Sequence, residues 1–494
     1  MVKKNLKVLG LLMIFFSIFI LAACEKDDKL YVATSPDYMP HEFVNKNEKG
    51  QAQYVGADIE FAKKIAEDMG KPLYIDAMGF TETLAAVQNG KVDLAISGFT
   101  YKKERAENYE MSNSYFDDGD GTQTLITLKS NLEKFKNFEL INKESVTVGA
   151  QSNSVQYDYA AEQLPNAKIE IISTINDGIL YLKNGKIDVL AIASNAGEAA
   201  IASNPELAFC EESFDVTGKT GLFALAKKGN KELIELVNET IKEVQAKQLY
   251  SQWLEEAKLL AKELGSAAVE EDFTSSGNQN FFVKVWVMFQ ENFVEFMKGL
   301  GITLALSLCG VVFAALFGIF LCLMNLSKYR ILRIISNAYI EVIRGIPLLL
   351  QLTVIFLVMP KGMPKFITCV VALVINSVAY QAEIFRSGIQ SVDKGQMEAA
   401  RSLGLSYPKT MVKVILPQAI KNILPSLANE FVALIKETSL ASTFFVGDLM
   451  TVKTIITSAT YDALTPYVII AVIYFIITFS LSKLIRYAEK KVTE

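Results

Sequence analysis

Two hydrophobic patterns divide the chain. From Lys29 to about residue 255 the apolar runs are short and alternate with charged amphipathic stretches. "KLYVATS" is an apolar strand, and "GADIEFAKKIAEDMG" has the helical period and stops at Gly70. "KPLYIDAM" then predicts a strand, "TETLAAVQNGK" a helix ending at Asn89-Gly90, and "VDLAIS" a strand. The same order returns in "SVTVGAQ", "SVQYDYAAEQL", "KIEIIS", "INDGILYLKNGK" and "IDVLAIAS". Strand-helix alternation predicts α/β sheets with crossover connections. "FTETLAAVQNGKVDLAIS" and "INDGILYLKNGKIDVLAIAS" read as one unit used twice, hence two similar lobes with a ligand cleft at the strand ends.

From about residue 281 the apolar runs lengthen. A membrane span needs about 20 mostly apolar residues. Five stretches qualify, at about 300–324, 334–358, 367–386, 421–446 and 464–484, the second and fourth carrying charges and Pro. Basic "SKYRILR" (327–333) and "SKLIRYAEKK" (482–491) place those flanks and the C-terminus in the cytoplasm. The expected architecture is therefore a two-lobed α/β clamshell followed by an all-α five-span domain.

Composition sharpens this picture. The chain has 494 residues, 51% of them hydrophobic, and a formal net charge of −5, which gives no footprint for nucleic acid. Five Cys and one His offer neither a disulfide framework nor a metal cluster. "MVKKNLKVLGLLMIFFSIFILAAC" has the basic start, apolar run and small-residue end of an export signal. Its ending at Cys24 resembles a bacterial lipobox, which implies lipidation of that Cys. "GSAAVEEDFTSSGNQN" (265–280) reads as a linker. The expected segments are a signal (1–24), an extracellular binding domain (25–262), a linker (263–285), a membrane domain (286–488) and a short cytoplasmic tail (489–494).

"EAARSLGLSYPKTMVKVILPQ" (398–418) lies between two apolar stretches yet carries Glu398, Arg401, Lys409 and Lys413. A charge at mid-bilayer costs roughly 2.5–3.5 kcal/mol, so four would cost about 10 kcal/mol or more. The segment should not span. Gly404 suits a helix end and Ser406 a helix start, which predicts a helix-turn-helix at the cytoplasmic surface.

The motifs "ATSPDYMPHEF", "SGFTYKKER" and "GLFALAKKGN" resemble the periplasmic amino-acid-binding proteins of bacterial ABC importers, over about residues 29–255. The resemblance implies that Tyr38 and Phe80 sandwich the ligand and that Arg105 holds its α-carboxylate. Ser97, Gly98 and Thr100 would complete the cradle, and Ser154 would reach the carboxylate from the second lobe. A planar guanidinium suits that role because it grips a carboxylate through two parallel hydrogen bonds. Three positions depart from the family, and the first is Asn153, beside Ser154, where Gly is usual. Ala193 stands where an Asp usually binds the α-amino group, leaving Glu42, Asp120 and Glu198 as replacements, or else a ligand that is not a standard α-amino acid. His41 stands where Phe is usual, either as a ligand contact or as a replaced wall residue.

"EAARSLG" followed by "VILP" resembles the EAA loop of ABC-importer permeases, and "EVIRGIPLLLQL", "NSVAYQAEIFRSGIQSVDKGQ" and "NEFVALIKETSLAS" resemble their polar-amino-acid branch over about 286–488. In that family the loop, here Glu398, Ala399, Ala400 and Gly404, docks on an ATP-hydrolysing subunit. "TGKT" (217–220) lacks the upstream Gly of a P-loop, because Ser213 stands there. ATP and Mg are thus expected in a separate ATPase, present in two copies on a homodimer of this chain. The chain itself is expected to need no cofactor, to bind no metal and not to be an enzyme. The rival class, a ligand-gated channel or sensor receptor built on a similar clamshell, lacks a TVGYG-type filter and a signalling domain in this sequence. Within the spans, Glu383 and Arg386 fit an i,i+3 pair, whereas Glu341, Arg344 and Gln351 fit either a substrate path or a structural role.

Overall fold

The computed structural model describes residues 28–45, 47–117, 122–216, 220–266, 281–460, 462 and 464–493. The expected signal and Cys24 lie outside the described residues. Two compact units are present, one made chiefly of residues up to Glu291 and one chiefly of those from Asn292 onward.

The first unit holds two five-stranded sheets of matching design. Its strands are β1 (Leu30–Thr34), β2 (Phe43–Val44), β3 (Tyr54–Val55), β4 (Leu73–Ala77), β5 (Leu94–Ala95) and β6 (Tyr109–Phe116). They continue as β7 (Gln123–Leu128), β8 (Thr147–Gln151), β9 (Lys168–Ile172), β10 (Val189–Ala193), β11 (Leu207–Phe209) and β12 (Leu222–Lys227). The first lobe has the order β4-β1-β5-β12-β6 and the second β11-β7-β10-β8-β9. In each, three strands run parallel through helical crossovers, and an antiparallel strand closes the set: β12 beside β5, and β7 beside β10. The repeat seen in the sequence is therefore a structural repeat. β12 comes from the far end of the domain, so the chain crosses between lobes after β6 and again before β12.

Helix Ala57–Asp68 shows how the pattern makes the lobe. Ile59, Phe61, Ala62, Ile65 and Ala66 lie on one buried face, and Gly70 takes the left-handed φ of +63° that ends the helix. Burying each large apolar side chain of this face contributes about 1.5–3 kcal/mol. In the second lobe, Leu125, Val148, Val189 and Phe214 form part of the core between the sheet and its helices.

Helices reach into both ends of the expected linker. Helix Leu249–Ser266 runs past residue 262, with Leu254, Ala257 and Leu264 buried. A further helix, Phe281–Glu291, occupies the predicted linker's end.

In the second unit, Phe293–Asn325, Lys365–Gln390 and Leu464–Tyr487 are each long and apolar enough to span a membrane. The other two expected spans are broken. Arg330–Gly345 and Leu348–Val358 meet at 106°, and Tyr407–Phe444 and Leu449–Thr460 at 46°. Each bent pair counts as one span only if both halves cross together. The first break has a local cause: Pro347 cannot donate a backbone hydrogen bond, so the helix stops before it. Gln351 repairs the exposed end, with Nε2 donating 2.8 Å bonds to the carbonyls of Ile343 and Ile346. The long helices pack through small residues. A side chain at Gly310 would meet Leu434 at 2.7 Å, and one at Gly318 would meet Gln381 at 3.2 Å.

Candidate ligand-binding cleft and coupling loop

The cleft lies between the two lobes, at the carboxyl ends of β1, β5, β8 and β10. Tyr38, Phe80, Ser97, Gly98, Thr100, Arg105 and Ser154 all line it. Their separation in sequence, from 38 to 154, is bridged by the sheet order.

Arg105 sits on the short helix Lys103–Asn108 and is 4% exposed. Its guanidinium carbon lies 5.9 Å from the Phe80 ring centre and 5.3 Å from that of Phe99. Nη1 donates to the Thr100 carbonyl (2.8 Å) and Nη2 to the Asn153 carbonyl in the second lobe (2.6 Å). Burial pulls its pKa down to about 10, so it stays charged at neutral pH. The two carbonyls fix the plane of the fork and leave further N–H groups for a carboxylate.

Asn153 adopts a left-handed φ of 61° and gathers contacts from the first lobe. Its carbonyl also accepts from Lys102 Nζ (3.2 Å), and its side chain donates to Thr81 Oγ1 (3.3 Å). Lys102 also pairs with Asp158 at 2.6 Å. These bonds join the lobes beside the cleft. The residue that departs from the usual Gly is thus a crossing point between lobes.

Gly98 has a φ of +57°, and a Cβ there would lie 2.9 Å from the Tyr38 ring. The glycine lets the Tyr38 wall and the Ser97–Thr100 strand end approach each other. Ser154 caps helix Val155–Gln163: its Oγ accepts from Tyr157 N (3.1 Å) and donates to the Gln151 carbonyl (2.7 Å). Its hydroxyl is thereby committed to the helix, and that helix's positive end faces the cleft with Val155 and Gln156.

Of the replacement acids, Glu42 lines the cleft, Glu198 does not, and Asp120 lies outside the described residues. Ser97 Oγ accepts from Ser35 N (3.0 Å) and donates to Glu42 Oε1 (2.7 Å). Burial, and then the charge of Asp58, push the Glu42 carboxyl well above its usual range. Burial also raises Asp37 to about 6, although Ser35 Oγ donates to it at 2.7 Å. Asp58 anchors the floor: it accepts from Gly98 N (2.8 Å), Tyr115 Oη (2.9 Å) and Tyr250 Oη (2.6 Å). His41 also lines the cleft, stacks on Tyr38 with ring centres 5.0 Å apart, and is tied through Nδ1 to Tyr250 Oη at 2.8 Å. It serves the wall through that network. Sequence pattern offered no sign of Asp58 or Tyr250, because their partners lie 40 to 209 positions away.

In the second unit, the 398–418 segment is helical on both sides of a turn. Helix Lys394–Ser402 ends before Gly404 (φ +84°), and Ser406 precedes the short helix Tyr407–Thr410. Arg401 Nη1 donates to the Leu405 carbonyl (3.1 Å), closing the turn. Glu398 and Ala399 are exposed and Ala400 is buried. Glu383 and Arg386 form the expected pair, with bonds of 3.0 and 2.7 Å. No cluster of His, Cys, Asp and Glu fit for a metal occurs among the described residues.

Comparison with known proteins accounts for both units. Residues 310–494 match the binding-protein-dependent transport system inner membrane component. Over 209 residues the chain is 38% identical to a putative glutamine transport system permease protein of Rickettsia bellii, covering 42% of this chain and 96% of that one. The chain belongs to this permease family. The permease is fused to a second family, since residues 30–256 match bacterial extracellular solute-binding proteins, family 3. An arginine transport system permease protein of Bacillus subtilis is 38% identical over 199 residues, 40% of this chain and 91% of that one. Among solved structures, an amino acid ABC transporter substrate-binding protein from Streptococcus pneumoniae bound to L-arginine is 32% identical, with a TM-score of 0.43, covering 47% of this chain and 94% of that one. This fused permease is a membrane transport component, and in such systems a separate subunit hydrolyses ATP.

Proposed function

We propose that the chain captures an amino acid outside the cell and passes it inward when a partner ATPase turns over. The observation that carries this reading is Arg105. It is a buried guanidinium, held in plane by two carbonyls beside the Phe80 and Phe99 rings, at the wall of an interlobe cleft. That arrangement suits one carboxylate with an organic body beside it. The permease relatives carry glutamine and arginine in their names, which supports the amino-acid class.

In this reading Tyr38 and Phe80 flank the ligand, while Ser97, Gly98 and Thr100 support it from the first lobe. The helix capped by Ser154 faces its carboxylate. The clamshell is extracellular, and lipid on Cys24 would add a tether. Two copies of the chain form the pathway, and their loops at Glu398, Ala399, Ala400 and Gly404 meet two ATPase subunits in the cytoplasm. ATP and Mg belong to those partners. Ligand shifts the clamshell toward its closed form, and ATP binding then shifts the permease.

The test is binding of the standard amino acids to the purified full chain in nanodiscs, by calorimetry. At least one should bind, and Arg105→Ala should abolish it. Unchanged affinity in a folded Arg105→Ala protein would sink the reading.

A further inference from the structure

Helix Phe281–Glu291 carries apolar side chains on more of its surface than a protein core covers. Its 11 residues read "FFVKVWVMFQE", with only Lys284, Gln290 and Glu291 polar. Met288 is buried, and Val285 and Phe289 beside it are half-buried, so this face meets the protein. At about 100° per residue, Phe282, Val283, Trp286 and Val287 fall on a different face, and all four are exposed. Phe282 is 77% exposed and Trp286 59%. Only Gln290 interrupts that face. Lys284 lies on the side away from Phe282 and Trp286, where its Nζ pairs with Asp462 Oδ2 at 2.9 Å. The helix therefore has a core face, an exposed apolar face and a charged edge.

Contiguous exposed apolar surface of this kind marks contact with protein or membrane. The next residues of the chain say which. Asn292 leaves the helical conformation (φ −111°, ψ 21°), and Phe293–Asn325 begins at once. That helix is long and apolar enough to span a membrane, with 33 residues where about 20 suffice. Its length of roughly 50 Å already exceeds the hydrocarbon, so the 11 residues before it are not needed for the crossing. Exposed apolar side chains continue past the break at Phe293 and Val294, the first residues of the span. An aromatic-rich helix at that position has the composition of the headgroup boundary. There a Trp ring can rest among acyl chains while its N–H reaches the wetter layer.

We propose that Phe281–Glu291 is an interfacial helix. Its Phe282, Val283, Trp286 and Val287 face seats in the headgroup–acyl boundary of the bilayer and fixes the depth at which the first span enters. The occupant of this face is lipid, rather than a second copy of the chain or a soluble partner. The inference is independent of what the cleft binds.

The chain has two Trp, at positions 253 and 286. Trp253→Phe leaves Trp286 as the sole indole of the full chain, which is reconstituted in phosphatidylcholine nanodiscs. Three quenchers are compared: the same lipid brominated near the headgroup end of its acyl chains, the same lipid brominated near the methyl end, and aqueous iodide. A ring seated about 5–10 Å into the boundary should lose roughly half its emission to the shallow bromine, less to the deep one and little to iodide. Should Trp253→Phe fail to fold, the difference between the wild type and Trp286→Phe isolates the same signal. Iodide quenching without bromine quenching would overturn the proposal, since the face would then lie in water. Shielding from all three quenchers would overturn it by placing protein there, either a second copy or the chain itself. Stronger quenching by the deep bromine would overturn it by making the helix part of the span.

Discussion

At the scale of single residues, the cleft is set by how each polar group spends its bonds. Arg105 donates to two carbonyls, which leaves further N–H groups for a ligand. Arg105→Lys should lose most of the affinity lost in Arg105→Ala, roughly 2–5 kcal/mol, because an ammonium cannot reproduce the fork. Gly98→Ala should also weaken binding, since its Cβ would displace the Tyr38 ring from 2.9 Å. Calorimetry on the three variants checks both statements. Glu42 gives a pH signature. Its folded pKa is raised, chiefly by burial, so its stabilising contribution is complete below the ordinary carboxyl value and is lost as pH rises through the folded one. The groups set against Glu42 are Asp37, Asp58, Tyr115, Tyr250 and His41. Glu42→Gln leaves all of them in place and should weaken this dependence of stability on pH, read as unfolding temperature across the pH range. Of these roles, Arg105 was legible in "YKKER" because its neighbours in sequence are also its neighbours in the motif. The bonding of Glu42 was not, because Ser35 and Ser97 reach it through the β1–β5 pairing.

At the scale of elements, alternation and amphipathic period specified the strands and helices of the clamshell closely. The membrane elements followed hydropathy in extent but not in continuity. Pro347 breaks the second apolar stretch, and Gln351 satisfies the carbonyls it leaves open. Asn376 Nδ2 in turn donates to Gln351 Oε1 at 3.3 Å. This assigns Gln351 a structural role in the bend. Gln351→Leu should cost roughly 1–3 kcal/mol by orphaning two partly buried carbonyls. Thermal unfolding of the full chain should show the loss while ligand affinity is unchanged. The turn at Gly404 makes a similar local demand. A side chain there has open space but the wrong backbone conformation, so Gly404→Val should cost on the order of 1 kcal/mol in the loop alone.

At the scale of the whole molecule, one chain carries what two families usually divide, a solute-binding protein and an inner membrane component. Binding and coupling should therefore be separable by mutation. Glu398→Ala and Gly404→Val leave the cleft untouched, so ligand affinity should match the wild type. ATP-driven uptake into proteoliposomes with the partner ATPase should fall steeply in both. Retained uptake in both variants would remove the loop from the coupling path. Arg105→Ala should give the opposite result, with ligand binding lost and ligand-independent ATP hydrolysis intact.

The sequence by itself determined the class of the molecule. Strand-helix alternation, apolar runs of spanning length and a charged segment too costly for lipid are all statements about near neighbours, and near neighbours are what a sequence displays. It also determined the repeat, which returned as two sheets of equivalent order. Only the tertiary structure decided which acid lines the cleft, which hydroxyl is consumed by a helix cap, and where an apolar stretch bends. Those outcomes depend on whether a polar group finds its partner, and Asp58 finds Tyr250 across 192 positions through the packing of the last helix of the domain.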